Sequence, residues 1–148
     1  MFEYIFSWFD SLYSEGLGEH LAGLTFCEEL GEYDYVGTNL FNLSGIIALV
    51  TAAITTTFFY YLWNPAAGMR WKWFLMLGIT AFLNLLVGFA IPYTDLINEY
   101  INLPEGLYVS GFDCFLFGVS DFIVSAGFFI ILSYIIRWGS RNNKHIPF

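Results

Sequence analysis

Long unbroken apolar runs, rather than an alternation of apolar and polar positions, dominate the chain. Three of them are "LSGIIALVTAAITTTFFYYL" (43–62), "WFLMLGITAFLNLLVGFAIP" (73–92) and "FLFGVSDFIVSAGFFIILSYII" (115–136). Each supplies about twenty mostly apolar residues, the length that crosses a hydrocarbon core of about 30 Å at about 1.5 Å per residue. No alternation of period two suggests a barrel, and backbone groups left unpaired in lipid are costly, so helices are the spanning form that fits. The pattern predicts an all-α integral membrane protein with three transmembrane helices in a single membrane domain, 1–148.

Between the runs the pattern changes. In "MFEYIFSWFDSLYSEG" the polar residues Glu3, Ser7, Asp10, Ser11 and Ser14 recur at helical spacing, and Phe2, Ile5, Phe6, Trp8, Phe9, Leu12 and Tyr13 cover the rest. This predicts an N-terminal amphipathic interfacial helix. An acidic start without a small-residue cleavage site distinguishes it from a signal peptide. The remainder of 1–42 is expected to form a small extracytoplasmic cap. Residues 63–72 read as a cytoplasmic hairpin, 93–114 as an extracytoplasmic loop and 137–148 as a cytoplasmic basic tail. Within that loop Leu96, Ile97 and Ile101 suggest a further short amphipathic helix ended by "LPEG".

Composition supports the class. Hydrophobic residues make up 57% of the chain and charged residues 12%, with a mean hydropathy of +0.62, far from the roughly 25% charged of a soluble domain. Charge sets the orientation. Every Lys and Arg lies either between the first two runs (Arg70, Lys72) or after the third (Arg137, Arg141, Lys144). Positive segments favour the cytoplasm, so these five act as cytoplasmic anchors, with the N-terminus outside and the C-terminus inside. Trp63, Trp71, Trp73 and Trp138 then form an aromatic belt at that interface. A bacterial inner membrane or an organelle inner membrane is the expected location.

Inside this frame, Asp121 stands out, because a carboxylate in a spanning helix is costly. Gly111, Cys114, Gly118, Asp121 and Ser125 share one face of the third run; Gly78, Ala81, Leu85 and Gly88, with Asn84 beside them, share one face of the second. Such small residues allow close helix packing, and an intramembrane carboxyl or amide can hydrogen-bond across the interface. Similar depths make an Asp121–Asn84 contact the expected one, with Asp121 as a neutral hydrogen-bonded acid. Contact with a basic residue of another protein and a role in ion or proton passage remain open alternatives. The threonines of "TAAITTT" are expected to bond back to their own helix.

Cys27 and Cys114 fall on the same, non-cytoplasmic side, which makes them a candidate disulfide alongside the alternative of two separate thiols. His20 with Glu19, Cys27, Glu28, Glu29, Glu32 and Asp34 matches no zinc or calcium spacing and reads as an acidic surface. No catalytic constellation, phosphate loop or metal motif is present, and no cofactor is implied. A net charge of −8 argues against a nucleic-acid partner.

The lipid bilayer is the first expected partner. With 22% aromatic residues and little buried surface per span, the chain is expected to be a non-catalytic small subunit of a larger membrane complex, such as secretion, respiratory or defence machinery, binding other subunits in preference to copies of itself. The alternative is a homo-oligomeric channel or membrane-perturbing protein, with the second and third spans around an ion or proton path. The three-span layout is common to many unrelated proteins, and no motif carries a specific function.

Overall fold

The structure, a computed structural model, describes residues 2–27, 31–63 and 69–137, with the backbone alone at 69, 70 and 137. It is mostly helical, and three of its helices are long and apolar enough to cross a membrane: Leu40–Leu62, Trp71–Ile97 and Gly111–Ile136.

Caps explain where these helices begin. Helix α3 (Leu40–Thr57) starts three residues before the apolar run because the Asn39 side chain accepts from the Asn42 N–H at 2.9 Å. At its other end it continues as a π-helical turn, Phe58–Leu62. Helix α5 (Gly111–Arg137) also starts before its run. Ser110 and Asp113 form a reciprocal capping box there, Ser110 N–H donating to Asp113 Oδ2 at 2.9 Å and Asp113 N–H to Ser110 Oγ at 3.2 Å. The middle helix, α4 (Met69–Ile97), passes through Pro92 without ending. It absorbs Leu96 and Ile97, so the separate short helix expected in 93–114 does not form. One proline removes one helical hydrogen bond, and the Pro92 side chain is fully buried.

The N-terminal segment also differs from the single amphipathic helix expected. Helix α1 (Glu3–Phe6) passes into a 3-10 turn (Ser7–Phe9), and a separate helix α2 (Glu15–Ala22) follows. Ser14 sets the start of α2: its backbone is extended, its N–H donates to Asp113 Oδ1 at 3.2 Å, and its hydroxyl caps α2 by accepting from Leu17 N–H at 3.4 Å. Two three-residue strands, β1 (Thr25–Cys27) and β2 (Glu32–Asp34), then pair antiparallel in the register Phe26 opposite Tyr33. Nothing in the hydropathy pattern anticipated this hairpin, because strands this short carry too few alternations to register.

Helix α5 packs on both α3 and α4. Acidic residues from the N-terminal segment and from Asp95 and Asp113 gather at one end of the bundle, hereafter the acidic end; Lys72 marks the other, basic end. At the acidic end Phe6, Tyr13, Leu17, Leu21, Phe41 and Phe117 form one apolar cluster, with Phe6 and Phe117 ring centroids 5.3 Å apart. At the basic end Phe59, Tyr60, Trp73, Met76 and Phe129 form a second. Between the clusters lies a layer of buried polar side chains.

Candidate functional site

The polar layer is built by side chains that face inward from all three long helices. Ser44, Thr56, Thr80, Asn84, Ser120, Asp121, Ser125 and Ser133 are all buried. Nearest the acidic end, Ser44 Oγ of α3 donates to Asp121 Oδ2 of α5 at 2.9 Å. The other carboxyl oxygen, Oδ1, is buried and has no hydrogen-bond partner among the described residues. Further along, Asn84 Nδ2 of α4 donates to Thr51 Oγ1 of α3 at 2.9 Å and to the Thr80 carbonyl at 2.8 Å. One turn on, Thr80 Oγ1 donates to Thr55 Oγ1 at 2.8 Å. Near the basic end Trp73 Nε1 donates to Ser133 Oγ at 3.3 Å.

Asp121 and Asn84 therefore do not bond each other; each bonds a hydroxyl of α3. Glycine explains the register. An added Cβ at Gly88 would lie 2.8 Å from Asp121 Cβ, and one at Gly118 would lie 2.8 Å from the Leu85 carbonyl. Asp121 thus packs against Gly88, one turn from Asn84, and α4 and α5 come too close there for any side chain on either glycine. The remaining small residues serve differently. Ala81 is buried, Gly111 has ordinary contact with Tyr93, and Gly78 is exposed, with nothing near the Cβ position. Ser125 does not reach another helix; its hydroxyl donates to the Phe122 carbonyl at 3.0 Å.

Ser44, Thr51 and Thr55 are the partners that sequence reasoning missed. Their spacing along α3 places all three on one helical face, a signal present but masked by the back-bonds expected of threonine. Those back-bonds also form: Thr51, Thr55 and Thr56 donate to carbonyls of their own helix.

Cys27 and Cys114 are free thiols, Cys27 on β1 and Cys114 buried in the first turn of α5. The candidate disulfide is not formed, and other contacts tie the N-terminal segment to α4 and α5. Ser14 reaches Asp113, and His20 Nε2 lies 3.2 Å from Asp95 Oδ2. No group of three His, Cys, Asp or Glu side chains converges among the described residues. Lys72 lies over the Trp63 ring, 5.8 Å from its centroid; the side chains of Arg70 and Arg137, and all of Arg141 and Lys144, lie outside the described residues.

Around the N-terminal segment, burial pushes the Tyr13 hydroxyl well above the ordinary tyrosine range, reinforced by its hydrogen bond to Asp10. A hydrogen bond to Glu19 raises Tyr35 likewise. Beside them opens a groove of about 800 Å³ lined by Glu3, Asp10, Glu15 and Glu19. No family model, curated protein or solved structure matches the chain.

Proposed function

We propose that this chain is a non-catalytic small subunit of a larger membrane-protein complex, serving its assembly or stabilisation. The observation that carries the reading is the inward direction of the spans' polar groups. Ser44, Thr51, Thr55, Thr80, Asn84 and Asp121 bond within the chain, while large apolar side chains such as Ile46, Ile54, Phe74, Phe82, Ile123 and Ile131 face outward. A pore between copies needs polar outward faces, whereas packing against lipid and apolar subunits needs the faces found here.

In this reading the acidic end is extracytoplasmic and the basic end cytoplasmic, following the positive-inside rule. The N-terminal segment lies at the outer interface. Tyr4 and Trp8, 80% and 83% exposed, suit the headgroup region, where aromatic rings with one polar edge collect. The acidic groove is the surface offered to a basic segment of a neighbouring subunit.

A second reading, a homo-oligomeric channel with the second and third spans around an ion or proton path, is favoured by the unpartnered oxygen of Asp121. Native mass spectrometry of the tagged protein, extracted into nanodiscs at native abundance, separates the two. Different proteins in fixed stoichiometry are the expected result; a pure ring of identical chains would overturn the subunit reading and make conductance the next measurement.

A further inference from the structure

Three helices meet at Asp121, yet its carboxyl has a single donor among the described residues. Ser44 Oγ bonds Oδ2 at 2.9 Å, and Oδ1 is buried without a partner among the described residues. An ionised carboxylate has about four lone-pair sites to satisfy, so the ionised form is poorly accommodated at this position. A carboxylic acid has a different requirement, which is an acceptor for its proton. Helix α4 brings a carbonyl group into this neighbourhood. Pro92, inside α4, has no N–H, so the carbonyl four residues earlier, that of Gly88, lacks its helical donor. Gly88 is also the α4 residue against Asp121, since a Cβ added to it would lie 2.9 Å from Asp121 Oδ2.

We propose that Asp121 is an intramembrane proton-binding site, in which the acid carries one proton, donates it to the Gly88 carbonyl freed by Pro92, and accepts from Ser44 through Oδ2. The site is separate from whatever the chain assembles with. Other charges are remote. Among the described residues α3 contributes no titratable group at this level. Helix α4 has Tyr93 and Asp95 toward the acidic end and Lys72 at the basic end. Helix α5 carries Asp113 and Cys114 two turns away and Tyr134 toward the basic end, and α1 has Glu3, exposed and bonded to Asn39. Among the described residues no cation stands by to hold the ionised form.

Packing selects a proton over a metal ion. Gly88 leaves no room for even a methyl group beside the carboxyl, too little on that side for the six or so oxygens that a hard cation gathers. The site is also covered. Phe2 lies over Gly45, next to Ser44, where any Cβ would collide with its ring, and Phe6, Phe41 and Phe117 close the acidic end in mutual contact. Exchange of the proton with water through the acidic end therefore requires the N-terminal segment to move.

Infrared difference spectroscopy of the full chain in nanodiscs, titrated with pH, tests the site. The expected result is a protonated-carboxyl stretching band at neutral pH that Asp121→Asn removes and alkaline pH titrates away. If that variant does not fold, carboxyl-13C aspartate labelling of the unmodified chain shows that the band belongs to an aspartate, and a shift of the labelled band in Ser44→Ala places it at Asp121. Pro92→Ala restores a helical donor to Gly88 and should shift the band upward as the acid loses its acceptor. Phe2→Ala should speed its deuterium exchange several-fold. Absence of a protonated band at neutral pH, or its loss on adding sodium at constant pH, would overturn the proposal. An unshifted band in Pro92→Ala would remove Gly88 as the acceptor, and unchanged exchange in Phe2→Ala would remove the N-terminal segment as the cover.

Discussion

Glycine positions with the same hydropathy are separated sharply by the structure. Gly78, Gly88 and Gly118 all read as helix-packing residues in the sequence, but only the last two sit where α4 and α5 touch. Gly118→Ala should lower thermal stability in detergent by about 1–3 kcal/mol, the usual cost of overpacking a tight interface. Gly78→Ala, with open space at its Cβ, should be neutral or stabilising by up to about 1 kcal/mol, the difference in helix propensity. Equal losses in the two would mean that the α4–α5 approach is wrong. The polar pairs can be weighed in the same way. A double-mutant cycle on Thr51 and Asn84, whose side chains bond at 2.9 Å, should return a coupling of about 0.6–1.7 kcal/mol, as intramembrane hydrogen bonds do. The same cycle on Asn84 and Asp121 should return none. For Asp121 itself, Asn should keep the contact with Ser44 and preserve assembly, whereas Leu should not.

At the level of elements, the N-terminal segment is held by aromatic packing and a few polar ties instead of by one continuous amphipathic helix. Tyr13 is central to it, buried and donating to Asp10 Oδ1 at 3.0 Å. Its folded-state pKa is raised above the ordinary 10.0, so the native state holds the phenolic proton more tightly than the unfolded state does. The corresponding stability is fully present below about pH 10 and is lost as pH climbs above that value. Alkaline titration of the segment's packing, followed by tryptophan fluorescence from Trp8, should show release above about pH 10. Tyr13→Phe should flatten that dependence while lowering stability at neutral pH through loss of the hydrogen bond to Asp10. A dependence unchanged in the variant would assign it to another group. The element boundaries teach a related lesson. Hydropathy alone starts the first and third spans at residues 43 and 115, but Asn39 and the Ser110–Asp113 box start the helices earlier. These caps are readable in the sequence once side-chain donors and acceptors are considered beside hydropathy.

For the whole molecule, the two free thiols report on orientation and packing together. With an extracytoplasmic acidic end, a membrane-impermeant maleimide added outside sealed cells or vesicles should label the half-buried Cys27. It should leave the buried Cys114 unlabelled until the protein is denatured. Labelling of Cys27 only after permeabilisation would reverse the topology. The membrane character of the chain was legible throughout, since three apolar runs of spanning length need no knowledge of neighbours to be recognised. The charge asymmetry that orients the proposal is equally local. Which polar residues meet was not legible, because it depends on the axial offset between helices.

By itself, then, the sequence determined the class, the number and approximate extent of the spanning helices, and the presence of polar groups within them, all properties of single segments summed along the chain. Tertiary structure alone decided that Asp121 bonds Ser44 and Asn84 bonds Thr51, that Gly88 and not Asn84 faces the carboxyl, and that the cysteines are free thiols. It also set the start of α2 at Ser14, whose N–H meets Asp113 of distant α5. The physical reason is common to all of these. A contact between helices is set by how closely two backbones approach, and that distance is decided jointly by the small residues of both, which no periodicity along one of them contains.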